Sequence, residues 1–209
     1  QASFLPVSRF LATRLAALGG PEAKPLPWPL APVTEAAPPR GRHLVCVSRL
    51  VEGKGLVDTV VLAGRLRLNL TVVGEGPARA DAERVAQQLG VKVCWRGQLD
   101  RASARRELAS AAAAVLLPSG PEGLGLCLLE AASVGTPVIG RARGGTPEAV
   151  GAGVVLPKNV DISAVDLSAV HTLLADPTAG RRALAWVQSV HHPRACLAAL
   201  DAVLRAQGG

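Results

Sequence analysis

Short blocks of consecutive apolar residues recur along the chain, separated by longer mixed stretches of helix length. The apolar blocks have the length and continuity of strands covered on both faces, and the mixed stretches read as the helices that cover them. On this pattern strands are predicted over HLVCVS, LTVVG, VKVCWRG, AAVLLPS, TPVIGR and GVVLP, beginning at His43. Helices are predicted over GKGLVDTVVLAGRL, PARADAERVAQQLG, RASARRELASA and LGLCLLEAASVG, with a short turn of helix at TPEAVG. From Asp166 onward the chain reads as helical: DLSAVHTLLAD, TAGRRALAWVQSV and, after Pro193, RACLAALDAVLRAQ. Before His43 a short apolar strand and a helix over Ser8 to Leu18 are expected, the latter ending at Gly19-Gly20. Strands alternating with helices predict an α/β fold: a doubly wound, Rossmann-like parallel sheet of about six strands, helices on both faces and a helical C-terminal tail.

Residues 21–41 hold seven of the sixteen prolines and read as an extended linker. The expected organisation is a linker-bearing segment over 1–41, a main domain over 42–190 and a C-terminal helix over 191–209. Hydrophobic residues make up 49% of the 209, enough for a real core. The chain opens at Gln1 and contains no Met, which reads as a processed, cut or partial sequence. No basic stretch followed by an apolar run stands at its beginning, so no signal peptide is expected. The longest apolar run, Ala111 to Pro118, falls far short of the ~20 residues that span a bilayer, and a soluble, cytoplasmic protein is expected.

The formal charge of +7 raises nucleic acid as a partner. Aromatic residues are only 2% with no Tyr, and the arginines are scattered from Arg9 to Arg205, so base stacking and a basic stripe are both missing. Nucleic acid is set aside; a diphosphate or an acidic membrane surface suits the charge as well. Cys46, Cys94, Cys127 and Cys196 form no CxxC pair and read as buried reduced thiols, not metal ligands or a disulfide framework. Asn69-Leu70-Thr71 fits a glycosylation sequon but opens a predicted strand, and is discounted.

Ligands of doubly wound sheets sit at the carboxyl ends of the strands. That rule selects the loops Ser48–Gly55, Gly74–Pro77, Gly97–Asp100, Pro118–Gly125 and Arg141–Pro147. Neither GxGxxG nor GxxxxGK[ST] occurs, which disfavours a dinucleotide enzyme or a P-loop NTPase. Arg49 and Lys54 flank the turn in SRLVEGKG, where two cations beside a helix start suit a diphosphate. The plainer alternative is a solvated loop with Glu52 as its local ion-pair partner. Glu130 lies inside LCLLEAAS, apolar on nearly every side, and a carboxylate buried there needs hydrogen-bond donors; ribose hydroxyls would supply them. Its alternative is a structural Glu bonded to a neighbouring helix cap. Glu122 stands eight residues earlier, and Gly123 and Gly125 allow a tight turn between the two. That places Glu122 at the helix mouth, where it could also simply cap free N–H groups.

The order SRLVEGKG, TVVGEGP, VKVCWRGQLD, LLPSGPEGLGLCLLEAASVGTPVIG and GGTPEAV resembles the C-terminal, donor-binding domain of the retaining glycosyl transferases of group 1, with their E-x7-E motif. The likeness runs from about His43 to Pro157, and ASFLPVSRFLATRLAALGG is similar to the last strand and helix of that family's N-terminal domain. It implies half of a GT-B fold, with residues 1–41 a remnant of the first domain plus the interdomain linker. The implied activity is transfer of a hexosyl group from a UDP-, GDP- or ADP-linked sugar with retention of configuration, without cofactor or metal. The resemblance makes Arg49, Lys54 and Glu122 catalytic: the cations hold the diphosphate and Glu122 the transferred sugar. Glu130 would bind the ribose, backbone N–H groups of Gly123, Leu124 and Gly125 would face sugar and phosphate, and the base would lie near Gly97 and Leu99. Implied partners are an acceptor sugar, lipid or small molecule, the N-terminal domain, and peripheral contact with the inner membrane face. A catalytically inactive nucleotide-sugar-binding module of the same fold is the alternative. Leu124 stands where the family has Phe, Ala132-Ser133 where it has Met-Ala, and the segment after Pro147 is shortened.

Overall fold

The computed structural model of the chain describes residues 4–31 and 41–207. Six strands, β1 (His43–Val47), β2 (Asn69–Val73), β3 (Val93–Trp95), β4 (Ala113–Leu116), β5 (Val138–Arg141) and β6 (Val154–Leu156), form one sheet. Their order is β3-β2-β1-β4-β5-β6 and every pairing is parallel. The connecting helices are α2 (Leu56–Leu66), α3 (Arg79–Leu89), α4 (Arg101–Ser110), α5 (Leu126–Ser133) and α6 (Thr146–Val150). An N-terminal helix, α1 (Arg9–Ala17), precedes the sheet, and α7 (Ser168–Ala175), α8 (Ala179–His191) and α9 (Pro193–Gln207) follow it.

Successive strand residues point to opposite faces, and each face is closed by its own core. Leu44, Cys46, Leu70 and Ile139 pack under α2 and α3, with Ile162, Val170 and Leu173 extending the same cluster. Val45, Ala114, Leu116 and Val138 pack with Leu128 and Leu129 of α5, Val150 of α6 and Val187 of α8. Each fully buried leucine contributes ~1.5–3 kcal/mol of transfer free energy, so continuous apolar runs such as AAVL, buried at all four positions, hold the centre of the sheet. The expected doubly wound sheet of about six strands and the helical tail are both present.

Several local expectations change. Of the opening apolar strand, residues 1–3 lie outside the described residues, and Phe4 to Val7 form no strand. The helix that follows is there, with the Ser8 side chain capping it by accepting from Leu11 N–H at 3.1 Å. Residues 32–40 of the Pro-rich linker also lie outside the described residues. The helix expected from Gly53 begins at Leu56, because Gly53 and Gly55 adopt left-handed backbone at φ 86° and 73°. The thiols are free: Cys46 and Cys196 are buried, Cys127 is half-buried and Cys94 is exposed. It sits on the short edge strand β3, whose other residues, Val93 and Trp95, pack against the first core.

The direction of winding reverses between the neighbours β1 and β4. The loops that leave their carboxyl ends therefore diverge to opposite faces and open a crevice between them. Those loops carry SRLVEGKG and LPSGPEGLG.

Candidate functional site

The two loops are stitched together by backbone. Gly53 O accepts hydrogen bonds from Ser119 N–H at 3.0 Å and Gly120 N–H at 3.2 Å. Gly55 sits so tightly on the end of β4 that a Cβ there would lie 1.6 Å from Leu117 O, which excludes any side chain. A third loop joins from β5: Gly145 N–H donates to Glu122 O at 2.7 Å, and a Cβ on Gly144 would lie 2.0 Å from that same oxygen. Neither α2 nor α5 is capped by a side chain at its start, where Gly55 and Gly125 are left-handed. Both helix starts therefore present backbone N–H groups and the positive end of the dipole to the crevice.

On this frame the structure brings Lys54 and Glu122 together. Lys54 Nζ lies 2.5 Å from Glu122 Oε2, with the side chains 24% and 15% exposed. Glu122 Oε1 accepts from Gly123 N–H at 3.1 Å, so that N–H, expected to face sugar and phosphate, is turned to the carboxylate. The suggested local partner Glu52 is not the one Lys54 uses. Arg49 is exposed just after β1 and makes no side-chain hydrogen bond or ion pair among the described residues. Leu124 and Gly125 are buried, with Leu124 in the second core.

Glu130 is the fifth residue of α5, just over one turn inside the helix. It is not buried as expected: the side chain is 31% exposed, on the strip of α5 away from the buried Leu128, Leu129, Ala131 and Ala132. Its neighbour is Arg101 at 3.7 Å, at the start of α4, and not a helix cap. Arg101 follows the Gly97–Asp100 loop, so Glu130 and the loop holding Gly97 and half-buried Leu99 border the same end of the crevice.

Four features escaped the sequence reading. Cys127, the second residue of α5, is held well above the usual thiol range by burial, then by Cys46, Glu122 and Glu130 nearby, with Lys54 opposing. Ser8 donates its hydroxyl to Gly123 O at 2.7 Å, and Glu148 accepts Arg9 N–H at 2.8 Å and Phe10 N–H at 3.1 Å. The start of α1 is thereby clasped to the Glu122 loop and to α6. The fourth is Arg141, which is buried. Only the Ser-before-helix pattern at Ser8 carried a local signal; the other three depend on what packs across from them. An open cavity of about 510 Å³ lies between the starts of α2 and α3. Glu52, Asp58 and Asp81 line it, a sign of charge that does not suit a phosphate.

The arrangement offers a cation with no partner among the described residues, a second cation held by a carboxylate, two helix starts and a half-exposed carboxylate opposite a loop. Those parts suit a ligand with anionic and hydroxyl groups side by side.

The family model described as glycosyl transferases group 1 matches residues 33–182. A GDP-mannose-dependent alpha-(1-6)-phosphatidylinositol monomannoside mannosyltransferase of Mycolicibacterium smegmatis is 33% identical over 89% of this chain and 56% of its own length. A glycogen synthase of Mycobacterium tuberculosis is 36% identical over 74% of this chain and 39% of its own length. The chain thus spans about half or less of these relatives. Among solved structures, Anabaena HepE in complex with UDP and glucose superposes with TM-score 0.79 at 16% identity, over 97% of this chain and 62% of that one. AviGT4, a glycosyltransferase involved in avilamycin A biosynthesis, gives 0.75 at 20% identity, over 94% and 61%. At such identities the superpositions speak for the fold.

Proposed function

This chain belongs to the glycosyl transferases of group 1, and from that premise we propose that it is the donor-binding half of a retaining GT-B hexosyltransferase using a nucleotide-diphosphate sugar. The observation that carries the reading is the meeting of Lys54 and Glu122 where the sheet reverses its winding, with Arg49 in the loop after β1 and Glu130 in α5. In this reading Arg49 and Lys54 take the diphosphate, Glu122 the hydroxyls of the transferred sugar, and Glu130 the ribose. Backbone of Leu124 and Gly125 faces sugar and phosphate, Gly123 N–H being held by the Glu122 carboxylate, and the base lies along Gly97 and Leu99. As the sugar–phosphate bond breaks, charge grows on the departing diphosphate, and two fixed cations with two helix starts stabilise it without a metal.

The division at residues 41 and 190 belongs to the same proposal, with the acceptor held by an N-terminal GT-B domain. The two relatives above are named for mannosyl transfer from GDP-mannose to a phosphatidylinositol glycolipid and for glycogen synthesis. Hexosyl transfer to a sugar or lipid acceptor is therefore the class proposed. Among the described residues no helix is long and apolar enough to cross a membrane, and a cytoplasmic enzyme docking against the inner membrane face by its positive charge fits a lipid-linked acceptor. The test is calorimetry with UDP, GDP and ADP beside their nucleosides, on wild type and Arg49→Ala. Arg49→Ala is expected to weaken the diphosphate about tenfold or more, the loss of one charge-assisted contact, and the nucleoside little. Equal losses for both would remove Arg49 from the phosphate site.

A further inference from the structure

Arg141 ends β5 and is 4% exposed, an unusual place for a guanidinium. Its Nη2 lies 2.6 Å from Asp58 Oδ2 in the first turn of α2, and its Nη1 donates to Leu117 O, at the end of β4, at 3.3 Å. Its Nε is buried without a partner among the described residues. Keeping a buried charge with one donor unmet is costly, and apolar residues of similar volume commonly serve stability as well or better. What the ion pair provides and an apolar contact cannot is a directional tie between defined atoms.

Those atoms belong to the two loops of the crevice. Leu117 O is the carbonyl on which Gly55 is seated, and Leu117 leads directly into the Ser119 and Gly120 amides that hold Gly53 O. Asp58 lies four residues after Lys54, in the helix turn that the Gly53–Gly55 turn opens. One side chain from β5 therefore fixes the Lys54 turn from its helix side and the Glu122 loop from its strand side.

We propose that Arg141, through Asp58 and Leu117 O, is a positioning residue that holds the Lys54 turn and the Glu122 loop in register for the donor diphosphate. This rests on the donor-site reading above. Arg141 does not touch the donor; it sets where Lys54 and the start of α2 stand.

The test is calorimetry with UDP, GDP and ADP, each beside its nucleoside, on the wild-type chain, Arg141→Met, Arg141→Lys, Asp58→Asn and the Arg141→Met/Asp58→Asn double variant. Arg141→Met and Asp58→Asn are each expected to weaken the tightest diphosphate about tenfold, and its nucleoside less than about twofold. The double variant should be no weaker than the poorer single one, because both remove the same tie. Arg141→Lys, which keeps the charge but not the fork, should recover part of the loss. Hydrogen exchange should accelerate over residues 50–58 and 117–125 in Arg141→Met while α8 keeps its wild-type protection; a merely structural loss would loosen both. Should Arg141→Met not fold, Arg141→Lys and Asp58→Asn decide by the same ratio. A diphosphate-to-nucleoside ratio unchanged in every folded variant overturns the positioning role alone. A wild-type chain that binds none of the three diphosphates overturns the donor reading, and this proposal with it.

Discussion

Lys54 is held by the Glu122 carboxylate. A diphosphate at Lys54 meets the Glu122 carboxylate as a rival for the ammonium group and as a like charge beside it. Replacing Glu122 by Gln tests this with almost no change of shape, and the amide oxygen can still accept from Gly123 N–H. The pair is 2.5 Å long, with three quarters or more of each side chain shielded from solvent. A hydrogen bond between charged groups contributes ~1.5–3 kcal/mol, and the partial exposure of Lys54 argues for the lower end. Freeing Lys54 of about 1.5 kcal/mol of competition is expected to tighten a nucleoside diphosphate about tenfold. A nucleotide sugar gains the same relief but loses the carboxylate that accepts its hydroxyls, again ~1.5–3 kcal/mol. Its affinity should stay level or fall, so the preference for nucleotide sugar over diphosphate drops about tenfold or more. Calorimetry with both ligands on both proteins reads the two numbers directly, and circular dichroism confirms the fold. A diphosphate affinity that is unchanged or weaker in a natively folded Glu122→Gln would show that the carboxylate does not compete with the phosphates for Lys54.

Two further outcomes follow from the same geometry. Glu130→Ala should cost nucleotide binding on the order of 10²-fold if two ribose hydroxyls meet the carboxylate, while the melting temperature stays close to wild type because the side chain is half-exposed; unchanged affinity would remove the ribose role. Stability should decline on acidification: His191 donates to Trp28 O at 2.9 Å and is held below its ordinary pKa, chiefly by burial, as is His43. The unfolded chain then binds more protons than the folded one, so the loss begins as pH falls through the usual histidine range near ~6.5 and levels off below the folded values. Melting scans over that range would check it, and a midpoint rising toward acid would contradict the assignment.

The hydrophobic pattern located all six strands, because a strand buried on both faces must be apolar at consecutive positions and few other structures demand that. Element ends were less legible. The start of α2 moved from Gly53 to Leu56 because the conformation of a glycine turn is settled by what it packs on, here Leu117 O across the crevice. Glu130 shows the limit from the other side. Apolar neighbours along a helix suggested full burial, yet a helix has a rim, and which residue lies on it depends on the angle at which the helix meets the sheet.

What the amino-acid sequence determined alone was the fold class, the loops that could hold a ligand and the residue types available there. Charge, glycine and alternation are local properties and survive without neighbours. It is the packing in three dimensions that pairs Lys54 with Glu122, clasps α1 to the Glu122 loop by Ser8 and to α6 by Glu148, and binds Arg141 to Asp58. Each of those contacts joins residues 68 or more positions apart. Their partners are set by the order and winding of the strands, which bring distant loops to one edge of the sheet.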